Sequence, residues 1–353
     1  MQLRRYCLSN AGLGILLMIS STAWAAEKVP LLLDTDIGSD IDDAFALALA
    51  LASPEVDLQG VTTVTSGAED RAWMVCRLLS AVGRGDIPVA WGREPQPASA
   101  IEHQMQYRLH PTVICGHTSW PVREPAVEFL YTRLKAQPGK LTLVAIGPLT
   151  NLARLLTEHP DCKSWIKRIV IMGGALRVGY EGKPPVEPEW NLKTDIPAAR
   201  VVFTAGIPLV VAPLDATALL QLEEPQRRRL FAAGTPLTAQ VQTLYQLWGK
   251  PTPILCDPVA VTLAFTEKFF DMEDLHLEVD EQGFTRIGKG PVNARVATAI
   301  RGEEFLKWYV ERVALRQPVM MLMPANDCSR STTRCNSFGW ILQGPPIRRC
   351  RWR

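Results

Sequence analysis

Short runs of apolar residues recur along the chain, each followed by a stretch whose apolar positions repeat at helical spacing. The strand-like runs lie at 30–34, 58–64 ("LQGVTTV"), 141–146 ("LTLVAI"), 168–173 ("RIVIMG") and 208–214 ("PLVVAPL"). The helix-like stretches lie at 40–52, 69–82, 125–136, 149–158 and 195–205. Strands that are nearly continuous in Val, Ile and Leu, with no alternating polar face, are buried on both sides. Separated by helices, they predict an α/β fold: an open, mostly parallel sheet with helices on both faces. In such sheets ligands bind beyond the carboxyl ends of the strands. Segments 91–124 and 174–191 are long and contain Pro and Gly, and are read as loops that wall a site.

The first 25 residues break the pattern. Arg4 and Arg5, the apolar "AGLGILLMIS" and the small-residue ending "AWA" at Ala25 read as a cleavable signal peptide, so the mature chain is expected to be exported, periplasmic or secreted. No other apolar run reaches the length of a membrane span. Without Arg4 and Arg5, 36 of the 38 basic residues face 36 acidic ones, and this even balance gives no electrostatic reason to expect nucleic acid or a membrane surface as partner. Residues 26–324 are read as one large domain. From Ala325 onward the last 29 residues carry six Arg, one Asp and three Cys without periodicity, and are read as a disordered basic tail without assigned function. The eight Cys form no C-x-x-C pair, and their spacing does not determine any disulfide.

Where the first strand hands over to the first helix, "DTDIGSDIDDAFALAL" places Asp34, Asp36, Asp40, Asp42 and Asp43 within ten residues. A helix N-terminus favours anions by about 0.3–1 kcal/mol per charge, enough for one or two of these acids. Five so close repel one another, and a bound hard cation with oxygen ligands resolves the conflict. An EF-hand loop does not fit: counting from Asp34, its sixth position is Ser39 rather than Gly and its twelfth is Phe45 rather than Glu. A haloacid-dehalogenase-like phosphohydrolase begins with a strand and D-x-D, which Asp34 and Asp36 satisfy, but that reading leaves Asp40, Asp42 and Asp43 unexplained.

The acidic stretch resembles the D-x-D-x-G-x-D-D-A signature of the Ca²⁺-dependent, inosine-uridine-preferring nucleoside hydrolases, with two extra residues before D-D-A. Further motifs follow in that family's order. "VAIGPLTNLARLL" matches its G-P-L-T-N turn, "IVIMGGALRVG" its M-G-G strand end, "EPEWNLKTDIPAARVV" its A-E-x-N-x-x-x-D-P-x-A-A block, and "ILCDPVAV" its late D-P-x-A-V block. The resemblance runs from about Pro30 to about Val313.

It implies hydrolysis of the N-glycosidic bond of ribonucleosides through an oxocarbenium-like transition state, with a small-molecule nucleoside as partner and a dimer or tetramer as the common assembly. Ca²⁺ is then expected on Asp36, Asp43, Asp257 and the backbone carbonyl of Thr150, with Asp36 as general base. Asp42, Met172, Glu189, Asn191 and Asp257 are the residues expected around the ribose. The two-residue insertion leaves open whether Asp40 or Asp42 orients it, and Asp34 is expected to orient ligands from behind. Taken singly, each has a plainer role as a turn, a cap or a core residue.

The base side departs from the family. Cys256 stands where members that protonate the leaving base carry His, and a thiol is a poor substitute for a tuned imidazole. Ser66-Gly67 and Gly179-Tyr180 each replace G-N. Tyr180, Trp190 and Trp120 are candidates for stacking on the base, and His110 and His117 lie in the long loop. Two other function classes stay open at this stage, a metal-dependent phosphohydrolase of the D-x-D type and a non-catalytic ribosyl-ligand binding protein.

Overall fold

The structure is a computed structural model, described over residues 27–92, 104, 106–107 and 119–315. The signal peptide, the tail from Ala325, Cys115, His110 and His117 lie outside the described residues.

Among the described residues ten strands form: β1 Val29–Thr35, β2 Val56–Thr63, β3 Val89–Trp91, β4 Thr142–Ala145, β5 Arg168–Met172, β6 Leu209–Ala212, β7 Phe270–Leu275, β8 Leu277–Val279, β9 Thr285–Ile287 and β10 Ala294–Ile300. Eight of them make one sheet in the order β3-β2-β1-β4-β5-β6-β10-β7, and β8 and β9 pair separately as a hairpin. Every pairing in the large sheet is parallel except β10 with β7. The five apolar runs become β1, β2, β4, β5 and β6. Their residues are largely buried because helices cover both faces, as the absence of a polar face requires.

The strand order reverses between β1 and β4. From β1 the chain winds outward through β2 to β3, then returns to the other side of β1. Connections leaving β1 and β4 diverge there and open a crevice beyond their carboxyl ends. The crevice is where the acidic turn lies, since Asp34 is still within β1, paired with Ala145 of β4.

The helix that follows, Asp42–Ala52, is buried at every position except Leu51. It is a central helix, touching the helices Cys256–Leu263, Pro236–Trp248 and Gly302–Leu315. Tyr309 of the last of these is fully buried and donates its hydroxyl to the Phe45 carbonyl at 2.9 Å, while the two rings pack 6.3 Å apart.

The stretch expected as a single helix over 195–205 begins earlier and breaks in two, Trp190–Thr194 and Ile196–Phe203. Glu189 caps the first and Asp195 the second. β3, β7, β10 and the helices Glu224–Ala232, Pro236–Trp248, Cys256–Leu263 and Gly302–Leu315 lie outside the predicted elements. Among the described residues no helix is long and apolar enough to cross a membrane.

Because Tyr309 ties the last helix to the one that carries Asp42 and Asp43, Tyr309→Ala is expected to lower unfolding free energy by about 3–5 kcal/mol. Tyr309→Phe, which removes only the hydroxyl, should cost about 1 kcal/mol. Urea titration followed by circular dichroism measures both, and an unchanged midpoint for the Ala variant would contradict the packing described.

Candidate active site

Acid by acid, the turn after β1 sorts its carboxylates by depth. Asp34, Asp36, Asp42 and Asp43 are buried, whereas Asp40 is exposed. Asp40 turns its Oδ1 back to accept from the Ile41 N–H at 2.7 Å. The backbone carbonyls of Ser39 and Asp40 accept from Gln104 Nε2 at 3.2 and 2.8 Å. Ser39 and Asp40 therefore lie toward the rim, while Ile41 and Asp42 remain inside.

Asp42 and Asp43 occupy the first turn of the central helix and meet Asp257, in the first turn of Cys256–Leu263. Oxygens of the three carboxylates all lie within 4.8 Å of one another, and all three residues are buried. The Asp257 N–H donates to Asp42 Oδ2 at 3.3 Å, and the Thr35 hydroxyl donates to Asp43 Oδ1. Burial comes first and neighbouring negative charge second in raising each of the three well above the ordinary carboxylate range. Three mutually repelling, all-oxygen donors converging in a dry place form a set that a hard divalent cation fits. The residues thus pass the test for holding a metal ion.

Asp36 faces the same centre, and its charge is felt by Asp42, Asp43, Asp257 and Glu189. Burial raises its carboxyl to about 6, held from going higher first by Arg71. This arginine escaped the sequence reading. It lies buried on the helix Ala68–Ala81, and its guanidinium donates to the carbonyls of Asp36, Ile37 (3.0 Å) and Ser66 (2.9 Å). It grips the acidic loop by its backbone and braces the turn before the helix, where Thr65 adopts a left-handed φ of 68°. Gly147, just after β4, closes the other side. A Cβ there would come within 2.9 Å of Asp36 Oδ1, so the G-P-L-T-N turn needs glycine for the loops to approach.

Asp34 lies deeper still. Its Oδ1 accepts from the Thr62 hydroxyl and from Asn151 Nδ2 (2.8 Å), and its Oδ2 is buried without a partner. Burial raises it to about 7. Asn151, the Asn of G-P-L-T-N, also reaches the Thr63 carbonyl at 3.1 Å and so laces β1 and β2 to the helix Thr150–Glu158. Thr150 opens that helix, half-buried, with its hydroxyl on Asp195 Oδ2 at 2.6 Å.

On the far side, Glu189 is buried and accepts from the N–H groups of Asn191 (2.8 Å), Leu192 (3.2 Å) and Gly174 (3.1 Å). Gly174 has a φ of 90°, which glycine alone adopts without strain. Burial nonetheless raises the Glu189 carboxyl to about 7. Asn191 donates to the carbonyls of Ile146 and Met172, both at 3.2 Å, pinning its segment across the ends of β4 and β5. Met172 is itself buried.

The aromatic candidates are arranged differently. Trp190 is 63% exposed and Tyr180 44% exposed, and the Tyr180 hydroxyl accepts from the Trp190 N–H at 2.7 Å. Trp120 packs edge-on against Trp73, 5.4 Å between centroids. Cys256 is half-buried. Burial first, then the charges of Asp42 and Asp257, push its thiol well above the ordinary range, against a hydrogen bond with Thr217. Cys76, Cys162 and Cys256 are all free.

Comparison with known proteins agrees with this geometry. Residues 31–307 match the family described as inosine-uridine preferring nucleoside hydrolase. The pyrimidine-specific ribonucleoside hydrolase RihA of Citrobacter koseri is 33% identical over 319 residues, covering 81% of this chain and 98% of that protein. RihA of Escherichia coli K12 is 34% identical over 272 residues, covering 72% and 85%. Among solved structures, the purine-preferring ribonucleoside hydrolase from Gardnerella vaginalis superposes with a TM-score of 0.70 at 25% identity over 81% of this chain and 98% of its own. The plant nucleoside hydrolase PpNRh1 superposes with a TM-score of 0.71 at 24% identity over 81% and 99%, which bears on the fold alone. With the acidic centre at the strand reversal and the family match spanning it, the chain belongs to the inosine-uridine-preferring nucleoside hydrolase family.

Proposed function

We propose that this nucleoside hydrolase, which cleaves ribonucleosides to ribose and free base, works with a Ca²⁺ ion held among Asp36, Asp43, Asp257 and the Thr150 carbonyl. The observation that carries the reading is the buried convergence of Asp43 and Asp257 with Asp42, whose oxygens lie within 4.8 Å; Asp36 and the Thr150 carbonyl join the set on the family resemblance. A divalent cation there supplies the positive charge these acids lack and acidifies a neighbouring water.

Asp36 takes the proton of the attacking water. It is buried beside the acidic centre, where its charge reaches Asp42, Asp43 and Asp257. Asp42 orients the ribose and, with Asp43 and Asp257, stabilises the positive charge that develops on the sugar as the glycosidic bond breaks. Asp40, at the rim, is left with a loop-shaping role. Glu189 and Asn191, fixed by backbone hydrogen bonds, hold the opposite edge of the sugar. Trp190 and Tyr180 present exposed aromatic surface beside that edge and receive the base. Cys256 keeps its proton, since burial and two neighbouring carboxylates oppose a thiolate, and it lines the base side without acting as nucleophile. Read with the export signal over residues 1–25, the reaction serves nucleoside salvage outside the cytoplasm.

Asp36→Asn should lower kcat for ribose release from uridine or inosine by about 10²–10⁴-fold with the fold intact. A reducing-sugar assay over a nucleoside panel, with and without chelator, reads this; a fully active variant would remove Asp36 as base. Absence of ribose from every nucleoside in the presence of Ca²⁺ would remove the catalytic reading.

A second expectation concerns pH. Asp36 (about 6), Asp34 and Glu189 (both about 7) hold protons in the folded protein more tightly than in the unfolded chain. Without metal, that stability is fully present below the unfolded pKa near 4 and is lost as pH rises through 6 to 7. A cation competes with those protons. Saturating Ca²⁺ should therefore raise Tm more at pH 8 than at pH 5. Differential scanning fluorimetry against a chelator control measures it, and an equal shift at both pH values would contradict it.

A further inference from the structure

Two segments of the site meet through a contact that none of the roles above uses. The Thr150 hydroxyl donates to Asp195 Oδ2 at 2.6 Å, across 45 residues of sequence. The other oxygen of that carboxylate, Oδ1, accepts from the Ala198 N–H at 3.0 Å and caps the helix Ile196–Phe203. One side chain thus fixes the starts of two helices that pack against each other, Thr150–Glu158 and Ile196–Phe203. On one side of this joint lies the turn through Gly147 that closes on Asp36. On the other lies the segment that carries Glu189 and Asn191.

The geometry points to Asp195 as a positioning residue for the cation site: it holds Thr150, the residue whose carbonyl the cation reading gives to the ion, against the start of the helix Ile196–Phe203. Thr150 is suited to being held in this way. Its branched Cβ allows few χ1 rotamers, so anchoring the hydroxyl also fixes the Cα and the peptide that follows. A short hydrogen bond to a carboxylate is among the stronger kinds, and it is half-shielded here. A valine at 150 would keep the backbone carbonyl and lose only the tether. The inference rests on the cation reading given under Proposed function and concerns how that site is kept in shape.

Calorimetric titration with Ca²⁺ of the full-length protein and four variants tests it. Thr150→Val and Asp195→Ser remove the tether from opposite ends. Serine at 195 keeps a capping oxygen for the Ala198 N–H but leaves nothing for Thr150 to donate to. Each single variant should bind Ca²⁺ about tenfold more weakly. The double variant should be no weaker than either single one, because the same interaction is lost only once. Thr150→Ser, which retains the hydroxyl but not the branch, should bind more tightly than Thr150→Val. Tm in chelator should change little across the set, separating a local effect on the site from a loss of fold.

If the unaltered protein binds no Ca²⁺, the cation reading and this assignment fall together. If it does bind, singles within twofold of it, or losses that multiply in the double variant, overturn the role of Asp195 alone.

Discussion

Like charges packed out of water govern this structure. Asp36, Asp42, Asp43, Asp257 and Glu189 are all buried; the charge of Asp36 reaches the other four, and burial penalises each ionised form before any repulsion is added. Such a cluster persists only where the rest of the fold restrains it. The restraints are visible. Arg71 holds the loop carbonyls, Thr35 bonds Asp43, and the Asp257 N–H bonds Asp42; on the opposite wall three backbone N–H groups point at Glu189. The parallel sheet makes this possible, because its strand reversal brings segments distant in sequence to one edge.

How much of this could be read from the chain follows from how local each signal is. A buried parallel strand is a run of Val, Ile and Leu, so β1, β2, β4, β5 and β6 were legible. β3 spans three residues, too short for a pattern, and β7 ("FDMEDL") is an edge strand in which three acids interrupt the apolar run. The acids of the turn after β1 were legible as a group because their crowding has no local explanation. Their division between rim and interior was not. It depends on how Ser39 and Asp40 sit and on Gln104, 64 residues beyond Asp40 in the chain, meeting them. Arg71 and Asp195 were invisible for the same reason. An arginine inside a helical stretch, or an aspartate before "IPAA", reads as a solvated face or a cap. Only the fold shows Arg71 aimed at Asp36 and Ile37, and Asp195 reaching back to Thr150.

The two halves of the site are built by different physics. The metal side consists of buried, mutually constrained carboxylates on helix starts, and little there can move without exposing charge to the interior. The aromatic side is the reverse, with Trp190 and Tyr180 exposed and joined by the Trp190 N–H donating to the Tyr180 hydroxyl. Rigid chemistry beside an open aromatic rim suits a hydrolase whose bond-breaking step is the same for every nucleoside while the base varies. Of the departures from the family pattern, Tyr180 falls on this open side, whereas Cys256 borders the acidic centre next to Asp257.

The hydrogen bond from the Asp257 backbone to Asp42 spans 215 residues of sequence. Closing so long a loop carries an entropic cost that only late, non-local packing offsets. Until the helix Cys256–Leu263 docks against the central helix, Asp42 and Asp43 lack their third carboxylate, and a cation meets only a partial cage. The ion is therefore poorly placed to nucleate folding. Its capture instead reports that the two ends of the domain have come together, so the metal seals a completed fold.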